Sequence, residues 1–328
     1  MRLLFELSME CESLARAEAL SVGRALGTCE SVMDPPGLMV AEAEADPLAM
    51  ADRVSLCHFI SEHLGSCDVS DIESLAEELD VDGPVRVHAT RIGTFHVDTD
   101  LEAVNRRIGE ILGRSSGVDI HSPASEVRIV FSDRAHFGRR LAAVDRASYE
   151  ARKTRNLPFD YPISLHPKFA RCLVNLTRVN AGDSLLDPFC GTGAIVAEAS
   201  LVGAEVFGTD VSEKMIAGAQ SNLASLGLEA DLRVCDVGSI PSELSRIDRI
   251  ATDPPYGRST STLGEPIPRL LERAFAAFGE LLDRGGRVAL ALHDRSLLSA
   301  IPDFRLVERH ELRVHRSLTR HFLVAERV

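Results

Sequence analysis

The sequence predicts an α/β protein in two parts, an N-terminal α+β region followed by a doubly wound parallel sheet. Three observations carry this. The 328 residues exceed one small core, and short apolar alternations and helical spacings take turns through the first half. From residue 164 onward, strand and helix patterns alternate regularly, as in a parallel sheet. Between the halves a polar, basic stretch carries Pro158 and Pro162 and reads as a linker.

In the first part, LLFELS and GLMVAEAE read as strands, and SLARAEALSVGRAL and PLAMADRVSLCHFISEHLG as amphipathic helices. The acidic helix DIESLAEEL precedes a break at Gly83-Pro84, after which VRVHATRIG alternates like a strand. In LEAVNRRIGEILGRSS, residues Leu101, Val104, Ile108, Ile111 and Leu112 recur at helical spacing behind acidic cap candidates. EVRIVFSD is the next strand. The boundaries are therefore placed at 1–145, a linker over 146–163, and 164–328. The last part reads helix (LHPKFARCLVNLTR), strand (DSLLD), helix (GAIVAEASLVG), strand (AEVFGTD), helix (SEKMIAGAQSNLASLG), and strands LEADLRVCD and IDRIATD. A helix over RLLERAFAAFGELL and the strand RVALALH follow.

Composition narrows the partners and the compartment. No stretch approaches the ~20 apolar residues of a membrane span, and the acidic start MRLLFELSMECESL is unlike a secretory signal, so a cytoplasmic protein with no membrane partner is expected. Seven scattered cysteines without a C-x-x-C pair fit a reducing compartment. The cluster Cys57, His58, His63 and Cys67 matches no ligand spacing and reads as ordinary side chains of a helix, so no metal is expected.

The net charge of −13 disfavours a polyanion partner only on average. Residues 1–150 hold 14 cations against 27 acids, whereas 151–328 hold 22 of each. Within 128–155 the sign reverses, with eight cations against three acids, a net of +5. A basic track inside an acidic chain is the footprint of nucleic acid on one face.

LLDPFCGTG, residues 185–193, is an apolar strand ending in Asp187, then a glycine loop that lets backbone approach a ligand. Asp210 closes the next strand 23 residues later, where a carboxylate can accept ribose hydroxyls. NAD would suit the same geometry, but the loop lacks the full G-x-G-x-x-G pyrophosphate pattern. S-adenosylmethionine has no phosphate to bind.

TDPPYG, residues 252–257, is the most specific signal in the chain. A ring amine is a poor nucleophile because its lone pair is delocalised into the base. Acceptors for its hydrogens, here the Asp253 carboxylate and the Pro254 carbonyl, would localise that pair and aim it. Pro255 stiffens the turn and Tyr256 offers a stacking face. No general base need act before attack, and His166, His293, His310, His315 and His321 read as surface or packing residues.

The glycine loop and second-strand acid resemble those of class I methyltransferases, which implies a Rossmann-like domain using S-adenosylmethionine. That resemblance places Asp187, Phe189, Gly191, Thr192, Gly193, Asp210 and Val211 around the cofactor and Asp236 at its adenine. The (D/N/S)-P-P-(Y/F) motif is shared by amino-methyltransferases of DNA, RNA and protein glutamine. Almost end to end, however, the chain is similar to the archaeal tRNA guanine-10 N2-methyltransferases. LLFELS, VRVHATRIG, EVRIVFSD, SLHPKFAR, LLDPFCGTG, TDPPYGRS and VHRSLTRHFLV carry that likeness. It implies a ferredoxin-like segment and a THUMP domain before the catalytic domain, with one or two methyl groups placed on guanine 10 of tRNA. It leaves open a small activator subunit.

Arg134, Arg139, Arg140, Arg152, Lys153 and Arg155, with Arg258 beside the motif and Arg316 in the last hairpin, are the cations expected along the RNA; the competing expectation is that they pair with acids of their own domain. A DNA methyltransferase would need a target-recognition insertion, and the chain has none between Asp187 and Asp253 or after Tyr256. A guanine of rRNA, another tRNA position, and an idle RNA-binding subunit remain as alternatives.

Overall fold

The computed structural model describes residues 1–162, 164–255, 264–293, 302–315 and 318–328, with His315 by its backbone only. The chain divides into two units, of which the first comprises Met1–Glu12, Leu26–Asp52 and Cys57–Val144 and the second Ser13–Ala25, Arg53–Leu56 and Asp145–Val328.

Through residue 143 the elements are β1 (Arg2–Leu7), α1 (Glu12–Leu26), β2 (Cys29–Met33), β3 (Leu38–Ala43), α2 (Pro47–Arg53) and β4 (Cys57–Cys67), then α3 (Ile72–Glu78), β5 (Val85–Arg91), α4 (Leu101–Leu112), β6 (Ser125–Phe131) and β7 (Ala135–Ala143). The strands form one sheet in the order β2-β3-β1-β4-β7-β6-β5, antiparallel except for β5 beside β6. This is the expected α+β architecture. Asp100 caps α4 by accepting from the Glu102 and Ala103 N–H groups, which start a helix whose Val104, Ile108, Ile111 and Leu112 bury against Val85, Val87, Val127 and Ile129.

The expected helix over residues 47–65 is corrected. Only Pro47–Arg53 is helical, and Cys57–Cys67 is an 11-residue strand between β1 and β7. Its register slips at Ile60/Ser61 and at His63/Gly65, and its Phe59, Ile60 and Leu64, with Leu56 just ahead of it, fall at helix-like intervals although the segment is a bulged strand. Cys57, His58, His63 and Cys67 therefore lie on a strand, and among the described residues no group of acids, cysteines and histidines could hold a metal ion.

In the second unit α5 (Arg146–Ala151), α6 (Pro167–Leu176), β8 (Ser184–Asp187), α7 (Ala194–Val202), β9 (Glu205–Asp210), α8 (Glu213–Ser225) and β10 (Asp231–Val234) are followed by α9 (Ile240–Glu243), β11 (Arg249–Thr252), α10 (Ile267–Leu281), β12 (Arg287–Leu292), β13 (Phe304–His315) and β14 (Leu318–Arg327). The sheet order is β10-β9-β8-β11-β12-β14-β13, parallel through β12 and closed by an antiparallel hairpin. Chain order reverses beside β8, so the crevice at its carboxyl end is where such sheets hold ligands.

Two departures from the sequence reading concern chain ends of this unit. The stretch expected as a linker contains α5, capped by Asp145, and Asn222 of α8 grips its Phe159 by both backbone groups, accepting at 2.8 Å and donating at 2.9 Å. The Phe159 ring covers Gly218, where any side chain would collide with it. Most of α1 also belongs here. Its Glu18, fully buried, accepts hydrogen bonds from Ser55, Leu56 and Asn175, while Arg53 donates to Asn175 and to the Val179 carbonyl. Burial raises the Glu18 carboxyl, and these donors oppose that shift.

Candidate functional site

A cavity of about 830 Å³ opens at the carboxyl ends of β8, β9, β10 and β11, within the range of small-ligand sites. Each strand delivers an acid to its wall: Asp187 ends β8, Asp210 ends β9, Asp236 follows β10 and Asp253 follows β11. The central strands β8 and β11 bury continuous apolar runs, as parallel strands covered on both faces do, and the acids stand at or within two residues of the four strands' carboxyl ends, where the chain leaves the sheet for the crevice.

Asp187 is 2 % exposed and accepts from Thr252 Oγ1 at 2.8 Å and from the Phe189 N–H at 3.2 Å. The Thr252 contact ties β11 to β8 where chain order reverses. Burial, aided by Asp253 and Asp210, pushes the Asp187 carboxyl up to about 7. Asp210 accepts from the Ser212 N–H at 2.8 Å and the Gly191 N–H at 3.2 Å, which joins the glycine loop to β9, and burial raises its carboxyl too.

Gly191 has φ +50° and Gly193 φ +86°, backbone that a side chain would strain. Gly191 leaves its side of the cavity open, whereas Gly193 caps α7 against Ala219 and stands outside the cavity wall. Phe189, Thr192 and Val211 line the cavity. Asp236 lines it as well, but its carboxylate is already engaged by Arg273 at 2.7 and 2.9 Å and by the Gly238 N–H at 3.0 Å.

Of the DPPY residues, Asp253 and Pro255 line the cavity and Pro254 is buried behind them. Tyr256, Arg258 and Arg316 lie outside the described residues. The sequence reading missed Tyr161, Ser164, Lys214, Glu265, Arg269 and Arg273, all on the cavity wall. A signal for the last three exists: Arg269 and Arg273 stand four residues apart on α10, and Glu265 precedes Arg269 by the same interval just ahead of the helix.

The cations expected along RNA are mostly paired within their own unit. In the first unit Arg134 meets Asp68 at 3.0 Å, Arg139 meets Glu62 at 2.9 Å, and Arg140 meets Glu126 at 3.2 Å. In the second, Arg152 is held at 2.8 Å by the buried Glu198, which also binds Arg171, and Lys153 pairs with Glu150. Arg155 is exposed.

The reversed sheet order and the acid-ringed crevice define a class I methyltransferase. The family model UPF0020, RMKL-like, methyltransferase domain, matches residues 152–321. A tRNA (guanine(10)-N2)-dimethyltransferase of Methanothermobacter thermautotrophicus is 37% identical over 337 residues, covering all of both chains. One of the same name from Pyrococcus abyssi is 34% identical over 84% of this chain and 85% of its own. The chain belongs to this tRNA guanine-N2 methyltransferase family and is an enzyme. The crystal structure of TrmN from Thermus thermophilus covers the whole of both chains at a TM-score of 0.58 and 23% identity, which shows a shared fold. No helix among the described residues is long and apolar enough to cross a membrane.

Proposed function

We propose that this enzyme transfers methyl groups from S-adenosylmethionine to the exocyclic N2 of a guanine in tRNA, guanine 10 in particular. The observation that carries the reading is Asp253 at the end of β11, on the wall of the cavity ringed by Asp187, Asp210 and Asp236. Full-length similarity to the guanine-10 enzyme of Methanothermobacter thermautotrophicus supports the choice of nucleotide.

The residues present fit the cofactor. The five carboxylates on the cavity wall, Glu265 included, outnumber its three cations, Lys214, Arg269 and Arg273, which suits a cationic ligand, and the open side at Gly191 admits an uncharged chain beside backbone. Asp210 would accept the ribose hydroxyls with its remaining lone pairs, Asp236 would face the adenine, and Phe189, Thr192 and Val211 would pack around them. Bound S-adenosylmethionine supplies an electrophilic methyl on a sulfonium, so the amine needs no prior deprotonation.

Asp253 and the Pro254 carbonyl would accept the two amine hydrogens, restoring the nitrogen lone pair and directing it into the cavity. Once it carries the methyl group the amine would be acidic, and Asp253, already accepting one of its hydrogens, or water would take the released proton. We assign Tyr256 the stacking role. We also assign the first unit, as a ferredoxin-like and THUMP-type region, to grip the tRNA, with Arg134, Arg139 and Arg140 exchanging carboxylate partners for phosphates. Arg155, Arg258 and Arg316 would follow the RNA nearer the site. The scattered cysteines support a cytoplasmic place of work.

Mass spectrometry of nucleosides from an unmodified tRNA transcript, incubated with the protein and S-adenosylmethionine, tests this. N2-methyl- or N2,N2-dimethylguanosine is expected. Methyl groups found only on another atom would reject the assignment.

A further inference from the structure

Arg273 is the cavity residue that the chemistry above leaves unused. It projects from α10 and makes four hydrogen bonds to two carboxylates. Its Nη1 and Nη2 donate to Asp236 Oδ1 and Oδ2 at 2.7 and 2.9 Å, and its Nε and Nη2 donate to Glu265 Oε1 and Oε2, each at 3.1 Å. Both pairs are bidentate, the arrangement that fixes a carboxylate's plane as well as its position. All three side chains line the cavity.

The clamp is built to close tolerance. Gly238 donates its N–H to Asp236 Oδ1 at 3.0 Å, and a Cβ at that glycine would stand 2.9 Å from Arg273 Nη1 and 3.2 Å from Asp236 Oδ1. A side chain at position 238 would therefore press on the guanidinium and push it off the carboxylate. The pairing also holds the Asp236 carboxyl below its ordinary range, with the Arg273 hydrogen bond the largest cause.

The bonds made to Asp236 define what it can still do. A carboxylate offers about four acceptor sites, two on each oxygen. Among the described residues Oδ1 accepts from Gly238 and Arg273, and Oδ2 accepts from Arg273 alone. One acceptor site remains, on Oδ2.

We propose that Arg273 is the positioning residue that makes Asp236 a selective reader of the purine amino group of the cofactor, by locking its carboxylate with a single open acceptor site. This rests on the cofactor reading above. A 6-amino group donates into that site. A 6-oxo group brings a lone pair against it and is repelled. Without Arg273 the carboxylate keeps only the Gly238 N–H, swings about that bond to accept from either face or admit a water, and the discrimination weakens. Glu265 holds the other side of the guanidinium and keeps it from following the ligand.

The test is calorimetric titration of the full-length protein with S-adenosylhomocysteine and with its 6-oxo analogue, S-inosylhomocysteine. The wild type is expected to prefer the amino form by about tenfold or more, the worth of one hydrogen bond to a charged group. Arg273→Ala should reduce that preference to about threefold or less, with KM for S-adenosylmethionine raised and kcat at saturation nearly unchanged. Arg273→Lys, which keeps the charge without the fork, should fall between the two and covers the case in which the alanine variant fails to fold. Asp236→Asn, whose amide can donate, should reverse the preference. An undiminished amino-to-oxo ratio in a folded Arg273→Ala or Arg273→Lys variant would overturn the proposal. A wild type that binds both compounds equally would overturn it and leave the methyltransferase reading standing. A wild type that binds neither overturns the cofactor reading and this proposal with it.

Discussion

Arg320 Nη2 stands 3.7 Å from Asp253 Oδ2, with the two side chains only 11% and 15% exposed. Arg320 lies on β14, the hairpin strand beside β12, and so reaches the DPPY acid from across the sheet. The separation exceeds a hydrogen bond, so at this distance the arginine acts on the carboxylate as a nearby positive charge. Arg320→Ala should lower kcat by about tenfold, the scale of one ion-pair contact in a partly buried site. It should leave cofactor affinity unchanged. An undiminished kcat would remove Arg320 from the account.

Asp253 itself carries the larger expected effect. Asp253→Ala should cost at least ~100-fold in turnover, by analogy with loss of one preorganised polar group, while cofactor still binds. Single-turnover rates on tRNA, paired with a cofactor titration, separate the two. Near-normal turnover would place the chemistry elsewhere.

Asp210 bridges the glycine loop and the next strand, since it accepts from both Gly191 and Ser212. If it also holds the ribose, Asp210→Ala should weaken cofactor binding by ~1.5–3 kcal/mol for each charge-assisted hydrogen bond lost. Asp210→Asn should lose less, because the amide oxygen still accepts. Calorimetric titration checks both, and an unchanged dissociation constant for the alanine variant contradicts the placement.

The Asp187 carboxyl, pushed up to about 7 by burial, makes two pH-dependent predictions. Between its ordinary value of 3.8 and about 7 the folded chain holds a proton that the unfolded chain lacks. That contribution to stability is present below the ordinary value and is lost as pH rises through 7. A cationic cofactor favours the ionised form, so its affinity should rise with pH through this window, with release of up to about one proton. Titrations at about pH 6, where most of the carboxyl still holds its proton, in buffers of different ionisation enthalpy measure that release. In Asp187→Asn the dependence should flatten.

For the RNA track, the pairs Arg139 with Glu62 and Arg140 with Glu126 decide the choice of variant. Glutamate at either position would face a like charge, so Arg139→Gln with Arg140→Gln is the cleaner probe. The double variant should weaken binding across different tRNAs and reduce the log-log salt slope by about one unit per lost phosphate contact, leaving cofactor affinity alone. A normal slope would mean that these arginines serve only their ion pairs.

How much of this was legible beforehand depends on what local sequence encodes. The ends of β8, β9 and β11 were readable because an apolar run stopping at an acid is a local pattern, and Asp187, Asp210 and Asp253 do line one cavity. The strand Cys57–Cys67 was not, because two register slips erased its period of two. Nor was the reach of the 146–163 segment, whose Phe159 is held by Asn222, 63 residues further on. The pairing of Asp236 with Arg273 spans 37 residues and that of Asp253 with Arg320 joins separate strands, so neither leaves a mark in spacing. Charge counting located a basic run but could not tell that Arg152 is held by the buried Glu198.

The claim at the centre of this account is that Asp253 and Pro254 present an exocyclic guanine amine for methylation. The most direct test compares a tRNA transcript with one in which inosine replaces guanine 10, a change that deletes the N2 amine and keeps the rest of the base. Methyl transfer measured from labelled S-adenosylmethionine should proceed on the first and fall to background on the second, with binding of both transcripts similar. Equal transfer to the two would contradict the account.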